Sequence, residues 1–175
     1  MDLKEAIIEN DVEAVEKILK MELENRPLDL QLWINLSLTE LQFPFEDYES
    51  ALVCINEINK IANDNVDSLI LETGINWHYL GFIGDDLYAR LVKVNIKDIQ
   101  KMAIIYYLQS LYFHSKRDLK NEEIVLKKSI EMCDKYVYPY KALGYITQIK
   151  SKSGDSKLYY QKAIDNVQKV YHDDD

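Results

Sequence analysis

The sequence predicts an all-helical protein of antiparallel hairpins, and three observations carry that expectation. Apolar residues recur at helical spacing along nearly the whole chain, with no sustained strand alternation. Only 5 Gly and 3 Pro punctuate 175 residues, fewer than sheet connections demand, while 47% of residues are hydrophobic and 29% charged. Finally, a pattern of aromatic and small residues near Tyr106 recurs 34 residues later, near Tyr140. The length suits one domain with its own core. One helical-repeat domain over 1–175 is therefore expected, with N-terminal helices in 1–26, divergent hairpins in 28–96, two regular hairpins in 97–171 and an acidic tail in 172–175.

Taking the elements in order, Asp2 is placed to cap a first short helix, and Asn10-Asp11 breaks the chain and recaps it. Val12, Val15, Ile18 and Leu19 then share one face of a second helix. It ends near Asn25-Arg26-Pro27, because the residue before proline is pushed out of the α region. Asp29 opens a third helix carrying Leu32, Trp33, Leu36 and Leu41, which Phe43-Pro44-Phe45 interrupts. A fourth runs from about Asp47 to Ala62 with Ala51, Leu52, Ile55, Ile58 and Ile61 inward. Asn63 to Asp67 is a polar connector, and Asp67 is the expected cap of a helix through Leu69, Ile70 and Ile75 toward Trp77, Leu80 and Phe82. Gly74, Gly81 and Gly84 are expected to make that stretch irregular. A short helix from Asp85 reaches about Asn95, a longer one spans Lys97 to about Ser115, and another spans about Leu119 to Lys135. Tyr138-Pro139 restarts the chain, since Pro fixes φ at a helix beginning, and the last hairpin covers 139–151 and 155–171, split at Ser153-Gly154.

The 34-residue offset aligns Tyr106 with Tyr140, Ser110 with Gly144, Leu126 with Tyr160, Ser129 with Ala163 and Ile130 with Ile164. An aromatic, a small residue four later where helices cross closely, then a large and a small residue on the returning helix form a code for stacked hairpins. The pattern resembles the tetratricopeptide repeat over about 70 residues, best at Tyr140 to Gly144 with Tyr160 to Ile164. Fainter echoes stand at Trp33-Leu36-Ser37 with Tyr48-Ala51-Ile55-Ile58, and at Trp77 to Gly81. The resemblance implies a protein-interaction scaffold whose first helices line a groove. Carried over residue by residue, it places Leu111 and Tyr145 in that groove, with Tyr107 and Lys141 a turn earlier and His114 and Gln148 a turn later. Tyr145 stands where family members that grip a peptide C-terminus carry Asn, which argues against a carboxylate clamp.

Charge supplies a second expectation. The net charge is −9, but residues 1 to 90 hold 19 Asp and Glu against 6 Lys and Arg, whereas residues 91 to 175 hold 11 against 15. Such polarity orients and accelerates encounter with a charged partner, and it argues against nucleic acid along the first half. The leading reading is an acidic inhibitor of a basic protein, with Glu40, Glu46, Asp47, Glu49, Asp85 and Asp86 beside exposed Trp77 and Tyr79. In size and charge the chain is similar in style to bacterial immunity proteins. The alternative is an adaptor or chaperone that holds an extended peptide in the groove.

Chemistry is absent from the pattern. His78, His114 and His172 form no helical pair of metal-ligand spacing, and no cofactor is expected. Asp85-Asp86 and Glu122-Glu123 are expected to face solvent, Cys54 and Cys133 to be buried thiols, and no phosphate-cradling glycine loop occurs. An enzyme is therefore not expected. No apolar run approaches the roughly 20 residues that span a bilayer, and the chain opening lacks a signal sequence, so the expected address is cytoplasmic.

Overall fold

The computed structural model describes residues 2–63 and 65–172, so all but the first residue of the expected acidic tail at 172–175 lies outside the described residues, and that residue, His172, ends a helix. The described residues form ten helices and no strand: α1 (Leu3–Ile8), α2 (Val12–Asn25), α3 (Leu30–Glu40), α4 (Tyr48–Ile61), α5 (Val66–Leu80), α6 (Asp85–Lys93), α7 (Ile99–Ser115), α8 (Leu119–Met132), α9 (Val137–Ile149) and α10 (Ser153–His172). They divide into two compact units, one up to Leu80 and one from Gly81.

Aspartate starts most of these helices, because a carboxylate accepts the backbone N–H groups that a first turn leaves unpaired and complements the positive end of the helix dipole. Asp2, Asp11, Asp29, Asp47, Asp98 and Asp118 each do this. At α1 the arrangement is reciprocal, with the Glu5 carboxylate accepting from the Asp2 backbone. The cap of α5 is Asn65, whose side chain accepts from the Ser68 N–H at 3.0 Å, and Asp67 falls inside the first turn instead. Gly74 does not interrupt α5: the helix runs through it and stops at Gly81, whose φ of 76° closes the C-terminus. The expected break at Ser153-Gly154 is likewise displaced, since both residues belong to α10.

Three of the hairpin turns are one structure. Asn10, Arg117 and Ser151 adopt φ of 55°, 57° and 57°, and each turn closes with the same pair of bonds. Asn10 N–H donates to Ile7 O and Asp11 N–H to Ala6 O; Arg117 to His114 and Asp118 to Phe113; Ser151 to Gln148 and Lys152 to Thr147. This is the Schellman closure, here with non-glycine residues at the left-handed position.

In the N-terminal unit the α1–α2 and α3–α4 hairpins share a core of Leu19, Leu23, Leu32, Leu36 and Cys54, with Leu3, Val15 and Trp33 against it. A second cluster, Ala51, Ile55 and Ile75, joins α5 to α4. Ser37 Oγ–H donates to the Ala51 carbonyl at 3.2 Å, tying α3 to α4 at their closest approach.

In the C-terminal unit α6 packs on α7 through Tyr88 and Tyr112, stacked at 4.0 Å, and Gln109 caps α6 by donating to the Leu91 carbonyl at 3.1 Å. The 34-residue pattern then explains α7 to α10. Leu126, Leu143 and Ile146 form a fully buried cluster that joins α8 to α9. Each such side chain contributes about 1.5–3 kcal/mol through removal from water. Ser129 Oγ–H donates to Ala103 O at 2.6 Å across α7–α8, and Ser156 Oγ–H to Gly144 O at 2.9 Å across α9–α10. Gly144 is required by close approach: a Cβ there would stand 2.7 Å from the Tyr160 ring.

Candidate partner-binding site

Residues three, four and seven apart share a helix face, so Tyr107, Leu111 and His114 form one stripe on α7, and Tyr138 and Tyr145 form one on α9. The structure brings these stripes together. Tyr107 meets Tyr138 at 5.7 Å between ring centroids and Tyr136 at 5.6 Å, while His114 lies 6.5 Å from Tyr145. Tyr138 and Tyr145 keep 56% and 50% of their surfaces in solvent, so the stripe is aromatic, hydroxyl-tipped and accessible. Side chains of this type offer large contact area at low entropic cost.

Beneath it lies a group that sequence reasoning missed. Glu122, in the first turn of α8, is only 3% exposed. One carboxylate oxygen meets His114 Nδ1 at 3.0 Å; the other, Oε2, is buried with no hydrogen-bond partner. Burial raises the Glu122 pKa above the ordinary carboxylate range, against the opposing pull of His114 and Lys150. Tyr107 is raised as well, first by burial and then by the neighbouring Tyr138 and Glu122. Glu122 and Glu123 were expected to face solvent together, but successive helical residues are 100° apart and this pair splits. Glu123 pairs with Lys127 at 2.7 Å and with Lys150 of α9 at 2.6 Å, and these bonds hold its pKa down to about 2. The legible signal was the three-residue turn after Ser115, which sets the first turn of α8 against the end of α7.

Lys141 and Gln148 do not join this stripe. Lys141 lines a hollow shared with α10, and the Gln148 side chain accepts from Tyr160 Oη at 3.4 Å, so both are directed toward the last helix. Asp85, at the start of α6, accepts from Tyr112 Oη at 3.0 Å and pairs with Lys116 at 3.2 Å; these contacts, led by Lys116, lower its pKa. Its neighbour Asp86 is exposed.

The acidic residues of the N-terminal unit serve local structure. Glu40 is not on the surface, as the charge reading expected. It is 5% exposed and pairs with Lys20 at 3.3 Å, because it closes α3 against α2. Lys20 also bonds Glu16, which with Glu40 raises its pKa. Asp47 caps α4, and its bonds from the Ser50 backbone and hydroxyl lower its pKa. Glu46 and Glu49 are exposed, Trp77 is half-buried, and Tyr79 stacks on Tyr48 at 5.3 Å.

Among the described residues no group of three or more His, Cys, Asp or Glu side chains could hold a metal ion. Cys54 is buried, and desolvation pushes its pKa up to about 12, which leaves it a thiol at neutral pH; Cys133 is partly exposed rather than buried. No helix among the described residues is long and apolar enough to cross a membrane.

Paired antiparallel helices, a repeated turn and small residues at each crossing define a tetratricopeptide-like helical repeat. Solved structures of this kind share the fold. MamA superposes with a TM-score of 0.71 at 15% identity, covering 98% of each chain. MamA from residue 41 onward, from Desulfovibrio magneticus RS-1, gives 0.72 at 12% identity, covering 95% of this chain and 91% of that one. PilW, a widely conserved type IV pilus biogenesis factor, gives 0.78 at 13% identity, covering 95% and 74%. No protein-family model and no curated protein matches the sequence.

Proposed function

We propose that this protein is a non-catalytic interaction module whose α7–α9 face holds a segment of a partner protein. The observation that supports the reading most is the exposed aromatic stripe above buried Glu122 and its partner His114. A carboxylate oxygen that is buried and unpartnered is costly, and it lies beneath an exposed aromatic stripe on the helices that line the groove of this fold. A partner segment laid over the stripe contacts Tyr138 and Tyr145 directly, with Tyr107 and the Glu122–His114 pair supporting them. The likeness to MamA and PilW supports the fold on which such a groove is built.

The acidic-inhibitor reading rests on net charge and size. Glu40 is already used inside the fold, and Asp47 and Asp85 are held by local bonds. The groove therefore takes precedence.

The test is affinity capture from the native host, followed by calorimetric titration of the identified partner against variants. Tyr145→Ala and His114→Ala are expected to weaken binding about tenfold or more, with Asp47→Lys near wild type. Loss of binding with Asp47→Lys, combined with full retention in Tyr145→Ala and a steep salt dependence, would return the acidic unit to first place.

A further inference from the structure

The C-terminal unit has a second surface, separate from the α7–α9 stripe. Val137 and Lys141 of α9 with Tyr160, Ala163, Ile164 and Val167 of α10 line a hollow of about 600 Å³. Ile164 is 51% exposed and Val167 39%. The chain itself shows what such a face accepts. Thirty-four residues earlier these positions are Ala103, Tyr107, Leu126, Ser129, Ile130 and Cys133. There the face is covered by α9: Leu143 and Ile146 bury Leu126 completely, and Tyr107 and Ile130 pack against them. Stacked hairpins present the same geometry at every step, so the face on α9–α10 is shaped for a helix bearing large apolar residues three apart.

We infer that this hollow is a docking site for an amphipathic helix of a partner protein, seated on α9–α10 as α9 is seated on α7–α8. One substitution refines the chemistry. Lys141 stands where Tyr107 contacts Tyr138 of the covering helix, so the incoming helix carries an acidic residue at the position of Tyr138. The flanking charge of residues 91 to 175, with 15 Lys and Arg against 11 Asp and Glu, favours the same sign of partner.

The covering helix of the earlier hairpin supplies the probe. A fluorescein-labelled peptide of residues 136–150 carrying Tyr138→Glu is titrated with the full chain and followed by anisotropy. Saturable binding is expected, weakened about tenfold or more by Ile164→Asp and by Val167→Asp. Both sites are solvent-exposed, so circular dichroism should confirm an unchanged fold. Lys141→Glu should weaken the acidic peptide and spare one with Tyr138 retained, whereas Tyr145→Ala should change neither. No saturable binding, or binding that Ile164→Asp and Val167→Asp leave intact, overturns the proposal. So does a concentration-dependent dimer that Ile164→Asp abolishes, since the face would then belong to a second copy.

Discussion

Replacing Gly144 by alanine tests the packing code at the last hairpin. The added methyl would stand 2.7, 2.9 and 2.9 Å from three carbons of the Tyr160 ring, inside ordinary carbon–carbon contact. The ring must withdraw, or α9 and α10 must separate and lose the Ser156 bond to the Gly144 carbonyl. Overpacking of this kind costs about 1–3 kcal/mol. Alanine also gains about 1 kcal/mol over glycine inside a helix, so the expected net effect is a destabilisation of about 1 kcal/mol. Removing the obstacle should reverse the sign. In a Tyr160→Ala background the methyl has room, only the propensity gain remains, and Gly144→Ala should stabilise by about 1 kcal/mol. The coupling of about 2 kcal/mol is the quantity to measure. Because the chain has two compact units, a single unfolding transition is not assured. Urea titration by circular dichroism should therefore be joined to amide exchange in α9 and α10. Equal stabilisation by Gly144→Ala in both backgrounds would refute the close-approach argument.

Two further outcomes follow from buried carboxylates. Glu122 binds its proton more tightly folded than unfolded, so its contribution to stability falls as pH rises from the unfolded carboxyl pKa through the raised folded one, and is constant above it. Glu122→Gln keeps an acceptor for His114 and removes that slope: it should stabilise at neutral pH and converge with wild type in acid, which thermal melts between pH 4 and pH 7 would check. For Glu40, Lys20→Ala removes the cation paired with a buried carboxylate. Fully buried pairs cost about 3–5 kcal/mol when broken, but Lys20 is 53% exposed, so a loss of about 1 kcal/mol is expected. Adding Glu40→Gln should restore most of it, as a urea double-mutant cycle would read.

The helices were legible because their signals are local. A 3.6-residue apolar period and an aspartate ahead of most runs place most boundaries within a few residues, and the 34-residue offset names Gly144 and Ser129 as crossing points. What escaped depends on partners distant in sequence or on rotation by part of a turn. Lys141 and Tyr145 are four residues apart and look equivalent on a helix, yet one borders α10 and the other meets His114. Glu122 looked solvated because charge is normally exposed; only its register against α7 buries it. Ser153-Gly154 resembled a break because serine and glycine are common in turns, whereas the bend was taken by Ser151. The aromatics Tyr107 and Tyr145 were found by analogy with a repeat, while the burial of Glu122 and the meeting of Tyr107 with Tyr138 needed coordinates.

The Schellman turns also determine where this protein can be lengthened. At Asp11 and Asp118 the residue that closes one helix is already the cap of the next, so no residue in those turns is spare. An inserted residue there would break a closing bond and a cap together. The connection at 42–47 is tied in the same way, since Asp47 N–H closes on the Glu40 carbonyl while its side chain caps α4; the segment around 94–97 carries no such double duty among its described bonds. Tags, fluorophores or grafted loops placed there should leave the stacked hairpins intact, which gives an engineer a permissive site between α6 and α7.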